Sequence, residues 1–316
     1  MRKRLVRLLA WAVTVGLLYL LFRRVPVSEV IAAARGAAWW TVPVVLTCVV
    51  GLYVCDSFAI WKVFGWFLKP MSFVDVLLVR GATYLLAAVN YNVGQGAIVY
   101  FVHRTAGVPI VRGVATVLFI MGVNVLALLF LASGGLLVAP AVPHAVTVIV
   151  VVAWIGLAIY ALTVWVRPRW LAEKPLFGVL LNAGVTGHLR ALVVRLPHIA
   201  CLMAFQITAM HAFGVAVPVL AAIAVLPVVF FIGVLPISVQ GLGTTQAVLV
   251  YFFARYAPGN QMAREAAVFS ASLVGQTIAT SFQAILGVIC LKSRVGRALS
   301  ESVKADTAPK ADTPPD

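Results

Sequence analysis

Charge is the scarcest commodity in this 316-residue chain, where only 10% of the residues are Asp, Glu, Lys or Arg. None of them lies between Arg112 and Arg167, and none between Arg195 and Arg255. A soluble domain needs charged side chains over its surface, so neutral runs of this length exclude an ordinary water-soluble fold. Each is long enough for two membrane crossings and a tight hairpin, at roughly 20 apolar residues per crossing. Backbone in hydrocarbon must satisfy its own hydrogen bonds, which makes these runs helices. Cysteine is scarce too. Cys48, Cys55, Cys201 and Cys290 all fall in apolar stretches, without the spacing of a disulfide framework or a metal site. They read as small buried apolar residues. No Ser/His/Asp order, Walker loop, metal spacing or paired-carboxylate site is present, so the chain shows no catalytic constellation and calls for no cofactor.

What is abundant is apolar residue, at 63%, with a mean hydropathy of +1.06. The expected fold is an all-α, polytopic helical membrane protein of about eight spans plus broken or re-entrant helices. Spans are expected over residues 5–22, 39–61, 113–138, 146–166, 197–216, 218–235, 244–258 and 265–291. The opening basic residues and apolar run resemble a signal peptide. The run is too long for one, however, lacks a small-residue cleavage site and is closed by Arg23 and Arg24, as a retained helix would be. Residues 1–297 form one integral membrane domain. After Arg297 the composition turns to Ser, Lys, Asp, Thr and Pro, and 298–316 is expected to be a disordered cytoplasmic tail.

The net charge of +15 would suggest nucleic acid if the basic residues were scattered. They cluster at span ends instead, as the positive-inside rule and anionic lipids demand, so no nucleic-acid partner is expected. Let the N-terminus be cytoplasmic and 73–105 enter and return on one side. The outside then keeps only Arg23, Arg24, Arg35, Arg255 and Arg264 of the 24 Lys and Arg residues, with Arg80 in the membrane. A single crossing by 73–105 would force the basic 167–195 loop outside. Charge therefore favours a hairpin, both termini cytoplasmic, and 167–195 lying along the cytoplasmic interface.

Two polar interruptions break the apolar pattern. One is Asn90-Tyr91-Asn92-Val93-Gly94-Gln95-Gly96, and the other runs from Leu235 through Pro236, Ser238, Gln240, Gly241 and Gly243. Broken helices at membrane depth line cavities or are buried in protein, and paired interruptions point to a transport site. Glycines that merely let helices pack closely give similar strings, and that alternative stays open. Asp56 and Arg80 are ionisable groups inside spans. Either they pair across two helices, or both snorkel to a membrane edge. Arg104 and Arg112 either hold a lipid phosphate or are plain edge arginines. His211 reads as a satisfied core residue.

The stretches FAIWKVFGWFLKPMSFVDVLLVRGATYLLAAVNYNVGQG, HRTAGVPIVRGVATVL and LPISVQGLGTTQAVLVYFF occur in that order. Together they resemble the lysylphosphatidylglycerol synthase transmembrane (flippase-like) family, over essentially residues 5–291. The resemblance implies a protein that moves lipids or lipid-linked precursors between leaflets, without that family's fused aminoacyltransferase domain. Its implied substrate-binding residues are Asn90, Asn92, Gly94, Gln95, Arg104, Asn124, Pro236, Ser238, Gln240, Gly241, Gly243 and Gln246. Where the family usually carries acids, this chain has the amides Gln95, Asn124 and Gln246, and Ile120-Met121 replaces a usual Glu-Arg. An amide keeps the hydrogen-bonding shape but holds no charge and carries no proton.

The leading expectation is a translocase of a membrane lipid or lipid-linked intermediate in the cytoplasmic membrane. With no ATPase motif, it is driven by a gradient or acts as a passive scramblase. A noncatalytic partner of a lipid or envelope-glycan synthesis complex is the alternative. So is a polyprenyl-dependent transferase, although the missing carboxylates argue against the metal that chemistry needs. Homo-oligomerisation and a lipid-synthesis partner both stay open.

Overall fold

The computed structural model describes residues 19, 27–36, 38–39, 41–89, 91–138, 144–234 and 243–293. The expected span 5–22 (residue 19 apart), Asn90, Pro236, Ser238, Gln240, Gly241 and the tail 298–316 lie outside them, as does the side chain of Asn92. Among the described residues the chain is all-α, with no strand. Its helices are α1 (Val27–Gly36), α2 (Thr41–Phe67), α3 (Phe73–Val89), α4 (Tyr91–Ala106), α5 (Ile110–Val138), α6 (His144–Val166), α7 (Arg169–Ala172), α8 (Pro175–Ala212), α9 (Val219–Val234), α10 (Thr244–Phe253) and α11 (Gln261–Leu291), with a 3-10 turn at Ala254–Tyr256. Five of them, α2, α5, α6, α8 and α11, are long and apolar enough to cross a membrane.

Outward faces match that solvent. On α6, Val152, Ile155, Ile159 and Leu162 are all exposed, as is Trp165 near its end. Water would not tolerate such a face, whereas lipid tails do, and aromatic side chains favour the boundary where the span ends. Inside, α8 packs along α2 and α5, α9 lies on α5, and α11 lies on α3. One apolar core joins α5, α8, α9 and α10 around Leu128, Met203, Met210, Val225 and Phe253. A second joins α2 to α5 around Phe64, Val76, Ile98 and Val117.

Two expectations need correction. The first is the break over Asn90–Gly96: Tyr91–Gly96 are helical, the opening of α4, and Asn90 lies outside the described residues. Helices α3 and α4 then fold back on each other as a hairpin. Gly94 serves that contact: a Cβ there would stand 2.5 Å from the Ala87 Cβ. Close packing, rather than a broken helix, is what this glycine provides. The connection from α2 into the hairpin is held by Trp61 Nε1 donating to the Met71 carbonyl at 2.8 Å. Ser72 then caps α3 by accepting from the Asp75 N–H at 3.1 Å.

The second correction concerns 167–195, expected to lie along the interface. Pro175 already starts α8, and only Gly184, at φ 60° and ψ −176°, interrupts its helical geometry. That backbone region is open essentially to glycine alone. His188 buttresses the break, donating from Nδ1 to the Gly184 carbonyl at 2.7 Å while the Tyr160 hydroxyl donates to its Nε2 at 2.7 Å. Beyond Gly184 the helix runs on to Ala212 and carries Arg195 into the bundle. His211 is also corrected. It sits exposed near the end of α8, with Nε2 3.3 Å from the Val217 carbonyl, and is no core residue.

Small residues set the closest helix contacts, which makes one prediction sharp. A Cβ on Gly135 of α5 would collide with the Ala224 backbone of α9, whereas one on Gly134 would meet nothing within 4 Å. Gly135→Ala should therefore destabilise the protein by about 1–3 kcal/mol, read as a lower unfolding midpoint in detergent. Gly134→Ala should leave the midpoint unchanged or slightly higher, since alanine is the better helix former. Equal midpoints would contradict this α5–α9 approach.

Candidate functional site

At mid-depth of the bundle sits a carboxylate, Asp56, on the inner face of α2. At 1.5 Å per residue it lies about 22 Å from the start of α2 and about 17 Å from its end. It is 2% exposed and receives two arginines. Arg80 Nε, from α3, donates to Oδ2 at 2.5 Å, and Arg195 Nη1, from α8, donates to Oδ1. Arg195 Nε also donates to Asn124 Oδ1 of α5 at 3.0 Å. His198, one turn beyond Arg195, points Nδ1 at the Leu52 carbonyl at 3.3 Å. The carbonyl can only accept, so Nδ1 carries the proton. The Arg80 guanidinium stacks over the Tyr84 ring, 4.7 Å from its centroid.

These groups form one wall of an open cavity of about 350 Å³ lined by α2, α3, α5, α8, α9, α10 and α11. That volume lies within the ~300–1,000 Å³ usual for small-molecule sites. A second polar wall is built of amides. Gly243, at φ 81°, offers its N–H to Gln246 Oε1 at 2.7 Å, so the glutamine side chain caps the start of α10. Gln246 Nε2 then donates to Gln276 Oε1 of α11 at 2.9 Å. Gln206, Ser272 and Gln283 complete this side, and Leu128, Leu202, Phe205 and Val229 make the intervening surface apolar.

Of the residues singled out from the sequence, Asp56, Arg80, Asn124 and Gln246 come together on this cavity. Gly243 adjoins it through its bond to Gln246. Gln95 and Gly94 do not line it, nor does Arg104, whose Nε donates to the Tyr100 hydroxyl at 3.2 Å near the end of α4. Gln95 and Gln246, both among the expected substrate-binding residues, therefore do not line the same cavity. Their two helices start from different interruptions, and α4 turns outward to pack on α3 and α5. Arg195, His198, Gln206, Gln276 and Gln283 were missed. Arg195 had been counted among cytoplasmic loop charges, whereas it is 7% exposed and bonded at mid-bundle. A signal for them exists in the spacing. Positions 195, 198, 202 and 206 share one helical face, as do 272, 276, 279 and 283, 52 and 56, 80 and 84, and 124 and 128. Among the described residues no group of His, Cys, Asp and Glu side chains is arranged to hold a metal ion.

No family model, curated protein or solved structure matches the chain. What the site can do therefore rests on its own chemistry.

Removing one partner of a buried ion pair strands the other charge, at a cost on the order of 3–5 kcal/mol. Asp56→Ala should thus sharply lower the unfolding midpoint and the monodisperse yield in detergent. Arg195→Ala should lower them less, because Arg80 still pairs Asp56, and the double variant should lose less than the sum, because both single changes break the same bond. Additive losses would show that the two side chains do not interact.

Proposed function

We propose that the protein is a translocase that moves a membrane lipid or lipid-linked intermediate between the leaflets of the cytoplasmic membrane. The observation that carries this reading is the polar, ion-bearing cavity at mid-depth of a bundle whose outer faces are apolar. A head group crossing hydrocarbon loses its water, and its unpaired polar groups then cost several kcal/mol each. A cavity of arginine, carboxylate and amide side chains replaces that hydration, while acyl or polyprenyl tails remain in lipid beside the apolar faces. Polar groups at this depth are costly to keep unless they serve a pathway. The resemblance of the three sequence stretches to the lysylphosphatidylglycerol synthase transmembrane family supports the same reading. In this proposal the chain makes about eight spans, the α3–α4 hairpin enters and returns on the cytoplasmic side, and both termini are cytoplasmic. The charge bias supports that orientation even after Arg195 moves from the loop into the bundle.

Reconstitution into liposomes tests the activity. Leaflet exchange of at least one class in a panel of labelled lipids should exceed the protein-free rate. Leu202→Trp, which fills the cavity from α8 without touching its ion cluster, should bring exchange back toward that rate. Exchange that is absent for every lipid class, or unaffected by filling the cavity, would sink the reading. Orientation is tested separately by reporter fusions after Arg4 and after Arg297, both expected to report cytoplasmic. A periplasmic signal at either end would refute the topology.

A further inference from the structure

One carboxylate serves two guanidiniums in the cavity. Arg80 and Arg195 both donate to Asp56, and Asp56 is the only Asp or Glu among the described lining residues. Arginine does not shed its proton in proteins, so the excess positive charge cannot be relieved by titration. Both arginines are more than nine-tenths buried. Arg195 spends Nε on Asn124 and Nη1 on Asp56, two of its five N–H donors, and it lines the cavity. Eleven residues along the same face of α8, about 16 Å away, is Gln206. It is 7% exposed, and its Nε2 has no hydrogen-bond partner among the described residues. A buried donor left unmade is costly, and this one lines the cavity. Among the described residues the cavity is also lined by the neutral groups Ser272, Gln276 and Gln283. Amides both donate and accept, as hydroxyl groups do, and they offer no charge to a second ionised group.

We propose that the cavity recognises an anionic phosphate lipid with a hydroxyl-bearing head group, the phosphate at Arg195 and the hydroxyls toward Gln206. This deepens the translocase reading and rests on it for its biological setting, while the recognition itself is a binding property. The 16 Å offset along α8 is too long for one bare phosphate to satisfy both donors, so the ligand extends beyond the phosphate. Fixed positive charge selects against cationic head groups. A zwitterion is disfavoured because its ammonium would meet the same arginines.

Ligand-dependent shifts of the unfolding midpoint, measured on the full chain in a neutral detergent, test this without any need for transport. The probes are dioctanoyl phosphatidylinositol, dioctanoyl phosphatidic acid, dioctanoyl phosphatidylcholine and inorganic phosphate. Phosphatidylinositol should bind tightest, and at least about tenfold more tightly than phosphatidylcholine, the scale of a lost charged hydrogen bond. Arg195→Gln keeps an amide that can reach Asp56 and Asn124 and leaves Asp56 paired with Arg80 alone. It should weaken phosphatidylinositol by roughly ten- to a hundredfold and abolish the preference over phosphatidylcholine. Gln206→Leu should retain the preference for anions but narrow the gap between phosphatidylinositol and phosphatidic acid. Should Arg195→Gln fail to fold, the comparison of probes on the unmodified protein still decides the matter. Equal binding of the anionic and zwitterionic lipids would overturn the proposal, as would a preference that survives Arg195→Gln. Inorganic phosphate acting as strongly as the lipids would overturn the lipid assignment. Selective binding without leaflet exchange would refute the translocase reading alone. Exchange indifferent to head-group charge would refute this inference alone.

Discussion

Asp56 accepts from arginines on two other helices, and one of those arginines also holds Asn124 on a third. This single carboxylate therefore sets the relative rotation of α2, α3, α5 and α8. Successive residues on a helix are about 100° apart, so turning any one of the four by a single position would carry its group off the cluster. In an environment of low dielectric an uncompensated charge is costly, and the helices are held in the one arrangement that pairs it. Packing alone would define the same bundle less firmly, since apolar helices against apolar lipid gain little from choosing one face over another. The cavity is what remains where these polar groups meet and bulky side chains do not.

The amide wall obeys a different rule. Gln246 bonds in both directions, accepting from the Gly243 N–H and donating to Gln276. A glutamate could do the first but not the second while ionised. Two of the buried amides, Asn124 and Gln246, thus have a structural account here, while Gln95 lies outside the cavity. Asn124 accepts from Arg195 while Asp56 supplies the negative charge, and Gln246 ties the entry of α10 to α11. Arg195, in the ion cluster, and the neutral Gln206 lie eleven residues apart along α8, and both line the cavity. That spacing is what gives the site a direction along α8, from Arg195 to Gln206.

Glycine shows how one residue type carries different constraints in different settings. Gly94 and Gly135 let helix backbones approach, Gly184 turns α8 through a left-handed conformation, and Gly243 leads the chain into α10. Read as letters, all four resemble helix interruptions. Only the neighbours distinguish them: Ala87 against Gly94, Ala224 against Gly135, and the His188 ring on the carbonyl of Gly184.

By itself the sequence determined the helical class, the apolar character and the positions of four of the five long apolar helices. Runs without charge longer than a bilayer requires can satisfy their backbone only as helices, and that argument needs no partner. It also singled out Asp56 and Arg80, because ionisable groups are conspicuous in apolar surroundings, whereas Asn124 and Gln246 were marked only by the resemblance to a known family. Tertiary structure alone decided which of these share a cavity. It moved Arg195 from a loop to the centre of the bundle, placed Gln206, Gln276 and Gln283 opposite it, and left Gln95 outside. The physical reason is that helical spacing reveals which residues share a face but not which faces meet. In helices that are apolar nearly all round, no hydrophobic stripe marks the inward side. The pairing of Asp56 with Arg195, 139 positions away, is therefore written only in the packed bundle, which also decides for the Asp56–Arg80 pair over two separate edge charges.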